Sequence, residues 1–151
     1  MSRILEALYR GDRAAAEEAA KGAELDLHEA AALGDANKAR ELLAGDPALA
    51  TARSRDGFTS LHYAAFFGTA ETAAVLLAHG ADPAAVAQNQ MLVQPLHSAA
   101  AVNANETARL LLDAGADPNA VQQGGFRPID AAVQNGNDEL LELLVARGAD
   151  T

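Results

Sequence analysis

Short apolar-rich segments alternate with polar, glycine-punctuated breaks along the whole chain. "LHEAAALG" from Leu27, "LHYAAFFG" from Leu61, "LHSAAAVN" from Leu96 and "IDAAVQNG" from Ile129 recur at lags of 34, 35 and 33 residues. A second apolar segment follows each one, carrying Leu42 and Leu43, Leu76 and Leu77, Leu110 to Leu112, or Leu140 to Leu144. A period of this length marks a stacked repeat array. Such an array offers a long concave face for binding, with no single deep cleft by default.

The second unit is the clearest. Thr59 and Ser60 are N-cap-type residues, and the apolar spacing predicts a helix from there to about Phe67. Gly68 is expected to end it with a positive φ. "TAETAAVLLAHG" predicts a second helix ended by Gly80, and "ADPAAV" a turn that Pro83 keeps from being helical. The unit is therefore helix, tight turn, helix, extended loop. In the other units Gly34, Asn103 and Gly136 take the inter-helix position, and Pro95 and Pro128 sit where a first-turn proline is tolerated. The alanine pairs Ala30–Ala31, Ala64–Ala65 and Ala99–Ala100 would let neighbouring short helices approach closely. "ILEALYRGDRAAAEEAAKG", from Ile4 to Gly22, repeats both helices without the loop and reads as a polar-faced N-terminal cap. At the other end, Leu140, Leu141, Leu143, Leu144 and Val145 sweep roughly 200° of one helix, more than a one-sided helix needs. That arc predicts an end that meets a second copy, or a chain that is a piece of a longer protein.

These residues resemble the ankyrin repeat, whose signature is T-P-L-H, A-A-x-x-G, a Leu-rich helix and G-A-D. Here it reads Thr59-Ser60-Leu61-His62, Ala64-Ala65, Gly68, Leu76-Leu77 and Gly80-Ala81-Asp82, and G-A-D recurs at Gly115 and Gly148. Gln94 and Arg127 replace the Thr, Asp130 replaces the His, and the first unit has "GDPALA" for G-A-D. The expected organisation is a cap at 1–24 and repeats at 25–55, 56–89, 90–122 and 123–151. The expected fold is an all-α helix-turn-helix solenoid with β-hairpin-like loop fingers. The resemblance implies a non-enzymatic module that binds a protein along its concave groove.

Composition narrows the partner. The 151 residues carry 11 basic and 21 acidic side chains, a net charge of −10, which disfavours binding to a phosphate backbone. Cys is absent, no apolar run is long enough for a membrane span, and no secretory segment opens the chain. A soluble cytoplasmic protein is expected, and nine Arg against two Lys, with abundant Ala, point to a GC-rich bacterial genome.

His28, His62 and His97 sit at equivalent positions in successive units. Stacked helices lie about 8–10 Å apart, too far for these rings to share a metal that each must reach within about 2.1 Å. They are expected to tie helix starts to adjoining loops, with His79 exposed near a helix end. No cofactor is expected. The chain has no phosphate loop, nucleophile elbow or H-E-x-x-H. Asp56 near His62 is the one acid–imidazole pair, expected to serve the loop.

The two variable positions of A-A-x-x-G should face the groove: Tyr9, Phe66, Phe67, Val102 and Gln134 are among them. The residue before the T-P-L-H slot lies at the finger base, giving Phe58, Val93 and Phe126. Arg55, Asp56, Met91 and Gln123 would form a fingertip rim. Five of the six aromatics therefore fall where packing does not demand them. The reading that follows is a rigid groove anchoring a protein through Phe58, Phe66, Phe67 and Phe126. Self-assembly through the groove or an open end is the alternative, and a small-ligand or enzymatic role a further one.

Overall fold

The computed structural model describes residues 2–151. Ten α-helices form among them, in consecutive antiparallel pairs. They are α1 (Arg3–Tyr9) with α2 (Arg13–Ala20), α3 (Leu27–Leu33) with α4 (Ala36–Gly45), α5 (Ser60–Phe66) with α6 (Ala70–Ala78), α7 (Pro95–Ala101) with α8 (Asn105–Asp113), and α9 (Pro128–Gln134) with α10 (Asp138–Ala146). First helices stack in the order α1, α3, α5, α7, α9, and second helices from α4 to α10 in a parallel layer. The core lies between the layers. Leu43, Leu61, Leu76, Leu96, Leu111, Leu140 and Leu144 are completely enclosed there, each worth about 1.5–3 kcal/mol of burial.

The alanine pairs are buried as expected, at 2% exposure or less. Small side chains at these positions let α3, α5, α7 and α9 pack backbone to backbone. Gly68 shows the same crowding, and corrects the expected reason for a glycine there. It does not adopt a positive φ. A side-chain carbon on it would lie 2.3 Å from the Ala31 carbonyl oxygen and 3.0 Å from the Ala64 Cα. Close approach, not backbone handedness, excludes every other residue. At the equivalent positions Gly34, Asn103 and Gly136 do take the left-handed conformation.

The loops are fingers stitched by backbone hydrogen bonds, with only one isolated β-bridge, Arg53 to Thr59, and no strand among the described residues. Within fingers, Ser54 N–H donates to the Phe58 carbonyl, Ala87 N–H to Val93 and Gln122 N–H to Phe126. Between fingers, Gln88 N–H donates to the Gly57 carbonyl and Gln123 N–H to Met91. In the first unit "GDPALA" gives a single 3-10 turn, Pro47–Thr51, capped by the Asp46 side chain.

The wide apolar arc expected at the C-terminal end is not exposed. Leu140 and Leu144 are fully buried and Leu143 nearly so, against α8 and α9. They occupy i, i+3 and i+4 and share one face. Leu141 is half-buried, so Val145 is the one large apolar side chain of α10 left exposed. The expectation of an end-on contact through these leucines loses its apolar surface.

Candidate functional site: an aromatic cleft on the concave face

The histidines set the finger positions. Thr59 N–H donates to Nδ1 of His62, so the ring proton resides on Nε2, which donates to the Val93 carbonyl at 3.0 Å. His97 repeats the arrangement, accepting from Gln94 N–H at 2.9 Å and donating to the Ala120 carbonyl at 2.8 Å. Each ring thus ties the start of its helix to the base of the next finger. Burial drives both rings toward the neutral form, and the His62 pKa falls to about 4. Arg53 adds a smaller push in the same direction at His62. In the last repeat Asp130 takes half of this role, accepting from Arg127 N–H at 2.8 Å. His28 reaches the Ala52 carbonyl at 3.2 Å, while Asp26 and Glu29 supply a reciprocal cap beside it. Asp56 makes no hydrogen bond to His62; its backbone carbonyl accepts from Asn89 instead.

Those ties hold the fingers open over a cleft of about 790 Å3 on the inner face, lined from α1, α2, α5 and α7 and from the fingers that precede α5, α7 and α9. Tyr9, Phe58, Phe66, Phe67, Met91 and Tyr63 are its principal walls. The rings meet edge to face: Phe66 on Phe67 at 4.8 Å between centroids, Tyr9 on Phe67 at 5.5 Å, and Phe58 on Tyr63 at 5.7 Å. Such geometry suits the ring quadrupoles and fixes the walls. The Tyr9 hydroxyl donates to that of Tyr63 at 3.3 Å, which donates to Ser54 Oγ at 2.9 Å. Burial and the Tyr63 hydrogen bond push the Tyr9 hydroxyl well above its ordinary value, and the negative charge of Asp56 adds to this. The Tyr9 hydroxyl therefore remains a neutral donor and acceptor.

The expected groove residues separate on this geometry. Tyr9, Phe66, Met91, Val102 and Phe126 are exposed, at 45%, 44%, 53%, 39% and 56%. Phe58 and Phe67 are half-buried and pack on the core while bordering the cleft. Val93 also lines the cleft but is buried, at 5% exposure, so it shapes the wall from beneath its finger and presents little surface of its own. Phe126 stands apart from the other aromatics. It lines a smaller hollow with Gln134, Asn135 and Arg127. Arg55, Gln123 and Val102 are exposed but border none of these hollows.

Two contributors escaped the sequence. Tyr63 sits at a core position, 2% exposed, yet its ring and hydroxyl form the cleft floor. Arg13 lies on a helix that reads as plain solvent-facing surface. Its guanidinium donates to the Leu33 carbonyl at 2.8 Å and the Phe67 carbonyl at 3.0 Å, bracing the ends of α3 and α5 beside the cleft. No local signal marks that reach.

A helix-pair array with G-A-D turns, stitched fingers and histidine ties has a counterpart among known proteins. The model for ankyrin repeats matches three times, over residues 4–87, 27–122 and 87–151. The chain belongs to the ankyrin-repeat family. No curated protein sequence matches it. Ankyrin repeats are in general protein–protein interaction modules, and the family is typically non-enzymatic. Among the described residues, no helix of this ankyrin array is long and apolar enough to cross a membrane.

Proposed function

We propose that this ankyrin array binds a protein partner in the aromatic cleft of its concave face. The observation that carries the reading is the concentration of aromatic walls there, with Tyr9 and Phe66 each nearly half exposed in a framework their own fold does not require. Aromatic side chains are the type most enriched at interface hot spots, and clustered exposed apolar surface on a small domain marks an interaction site. The hydrogen-bonded fingers and edge-to-face rings favour a preformed surface, which limits the entropy lost on docking. Met91 extends the apolar wall from the second finger, and Phe126 with Gln134 offers a separate, more polar contact further along.

The test is affinity capture from the source cell with the wild-type chain and with Phe66→Ala. A protein retained by the wild type and lost from the variant, with equal thermal stability of the two baits, supports the reading. Equal capture by both contradicts it.

A further inference from the structure

The aromatic cleft shares two of its rings with a shallower hollow of about 520 Å3. Tyr9 and Phe58 wall both, and Glu6, Asp56 and Arg10 complete the second. Neither the Glu6 nor the Asp56 carboxylate has an ion-pair partner among the described residues. Arg10 is the one cation of the hollow, and it is drawn to within 3.9 Å of Asp12. Arg13, on the cleft wall, is committed to two backbone carbonyls and to Glu17. Two carboxylates beside two aromatic rings attract a cation by charge, and the rings give the aliphatic stem of a lysine or arginine an apolar wall to lie on. The fingertip is held ready for this, because Asn89 grips the Asp56 carbonyl at 2.7 Å and Ser54 Oγ accepts from its N–H at 3.3 Å. At longer range the net charge of −10 draws in basic partners and repels acidic ones.

We infer that the partner is a basic–apolar peptide segment, which seats a bulky apolar side chain in the aromatic cleft and an adjoining lysine or arginine between Glu6 and Asp56. The inference rests on the groove reading above and specifies its ligand. The shared Tyr9–Phe58 wall sets the spacing, since one ring pair borders both side chains.

Selection of a random peptide library displayed on phage against the intact protein tests it. The expected result is enrichment of peptides with Lys or Arg next to Phe, Leu, Ile, Met or Trp. Their synthetic copies should lose binding to Phe66→Ala. They should also weaken about fivefold on Glu6→Gln with Asp56→Asn, the loss expected of a partly exposed ion pair. Replacing the basic residue by Gln in the peptide should abolish the difference between wild type and that double variant. Neither substituted side chain makes a hydrogen bond among the described residues, so melting temperature should not move. Binders that need Phe66 but carry no basic residue overturn the inference and leave the groove reading standing. Binders indifferent to Phe66→Ala, or no enriched sequence at all, overturn both.

Discussion

A side-chain carbon at Gly68 would sit 2.3 Å from the carbonyl oxygen of Ala31, on the neighbouring repeat. The distance is a direct measure of how tightly first helices stack. Gly68→Ala should destabilise the domain by roughly 1–3 kcal/mol through forced separation of α3 and α5. Gly136→Ala is the control. Its φ is left-handed, but open space surrounds it, so the cost is only the roughly 1–2 kcal/mol of conformational strain. Urea unfolding of both variants checks this. A Gly68 variant as stable as wild type would refute the close stacking.

Ser60 occupies the first position of α5, where Pro95 and Pro128 stand in the next two repeats. Its hydroxyl is buried without a partner among the described residues. Thr59 before it is already extended, as a residue preceding proline must be. Ser60→Pro should raise stability by about 1 kcal/mol, by removing the orphaned hydroxyl and restricting the unfolded chain. A calorimetric melt that falls instead would show that the serine serves the fold.

Leu92 holds a left-handed φ of 52°, at the finger position where Gly57 and Gly125 take φ of 86° and 82°. A leucine there is strained by about 1–2 kcal/mol, and at 47% exposure it recovers little by burial. Leu92→Gly should therefore stabilise the domain, by about 0.5–1 kcal/mol after the added chain entropy of glycine. Denaturant titration reads the sign directly. A clear loss would mean that the exposed leucine is packed more favourably than its surface suggests.

His62 makes stability depend on pH. The native ring stays neutral down to about pH 4, whereas in the unfolded chain it takes a proton near 6.5. The unfolded state thus binds more protons in this window. The contribution of His62 is complete above about pH 6.5 and is lost as pH falls toward 4, by up to about 3 kcal/mol. His97 shifts in the same direction and steepens the fall. His62→Gln should flatten the profile between pH 6.5 and 4. It should also lower stability at pH 7 by about 1 kcal/mol or more, through disturbed bonds to Thr59 and Val93. An unchanged slope would show that the ring titrates normally.

The repeat was fully legible because its period, helix ends and alanine pairs are written in adjacent residues. What depended on distant approach was not. Gly68 looked like a turn residue, and only the neighbouring helix reveals that it is a contact residue. The leucines of α10 looked too many to bury until α8 and α9 were placed against them. Position within the repeat identified Tyr9, Phe58, Phe66, Phe67 and Met91, which do converge. The same rule named Val93, which lines the cleft but is buried, because finger-base position specifies location along the loop and not how much surface a small side chain presents. It also joined Phe126 to the other aromatics, although that ring borders the next hollow along the groove. Tyr63 was hidden by its core position, and the long-range bonds of Arg13 have no signature in spacing.

The aromatic cleft as a partner-binding surface is tested most directly by titrating the captured partner into wild type and Phe66→Ala by isothermal calorimetry, with thermal melts of both. Phe66 is 44% exposed, so its truncation should barely move the melting temperature. The expected result is a weakening of affinity by about thirtyfold or more, the loss of a hot-spot contact of roughly 2 kcal/mol. Unchanged affinity, with or without a drop in melting temperature, would contradict the assignment of the cleft.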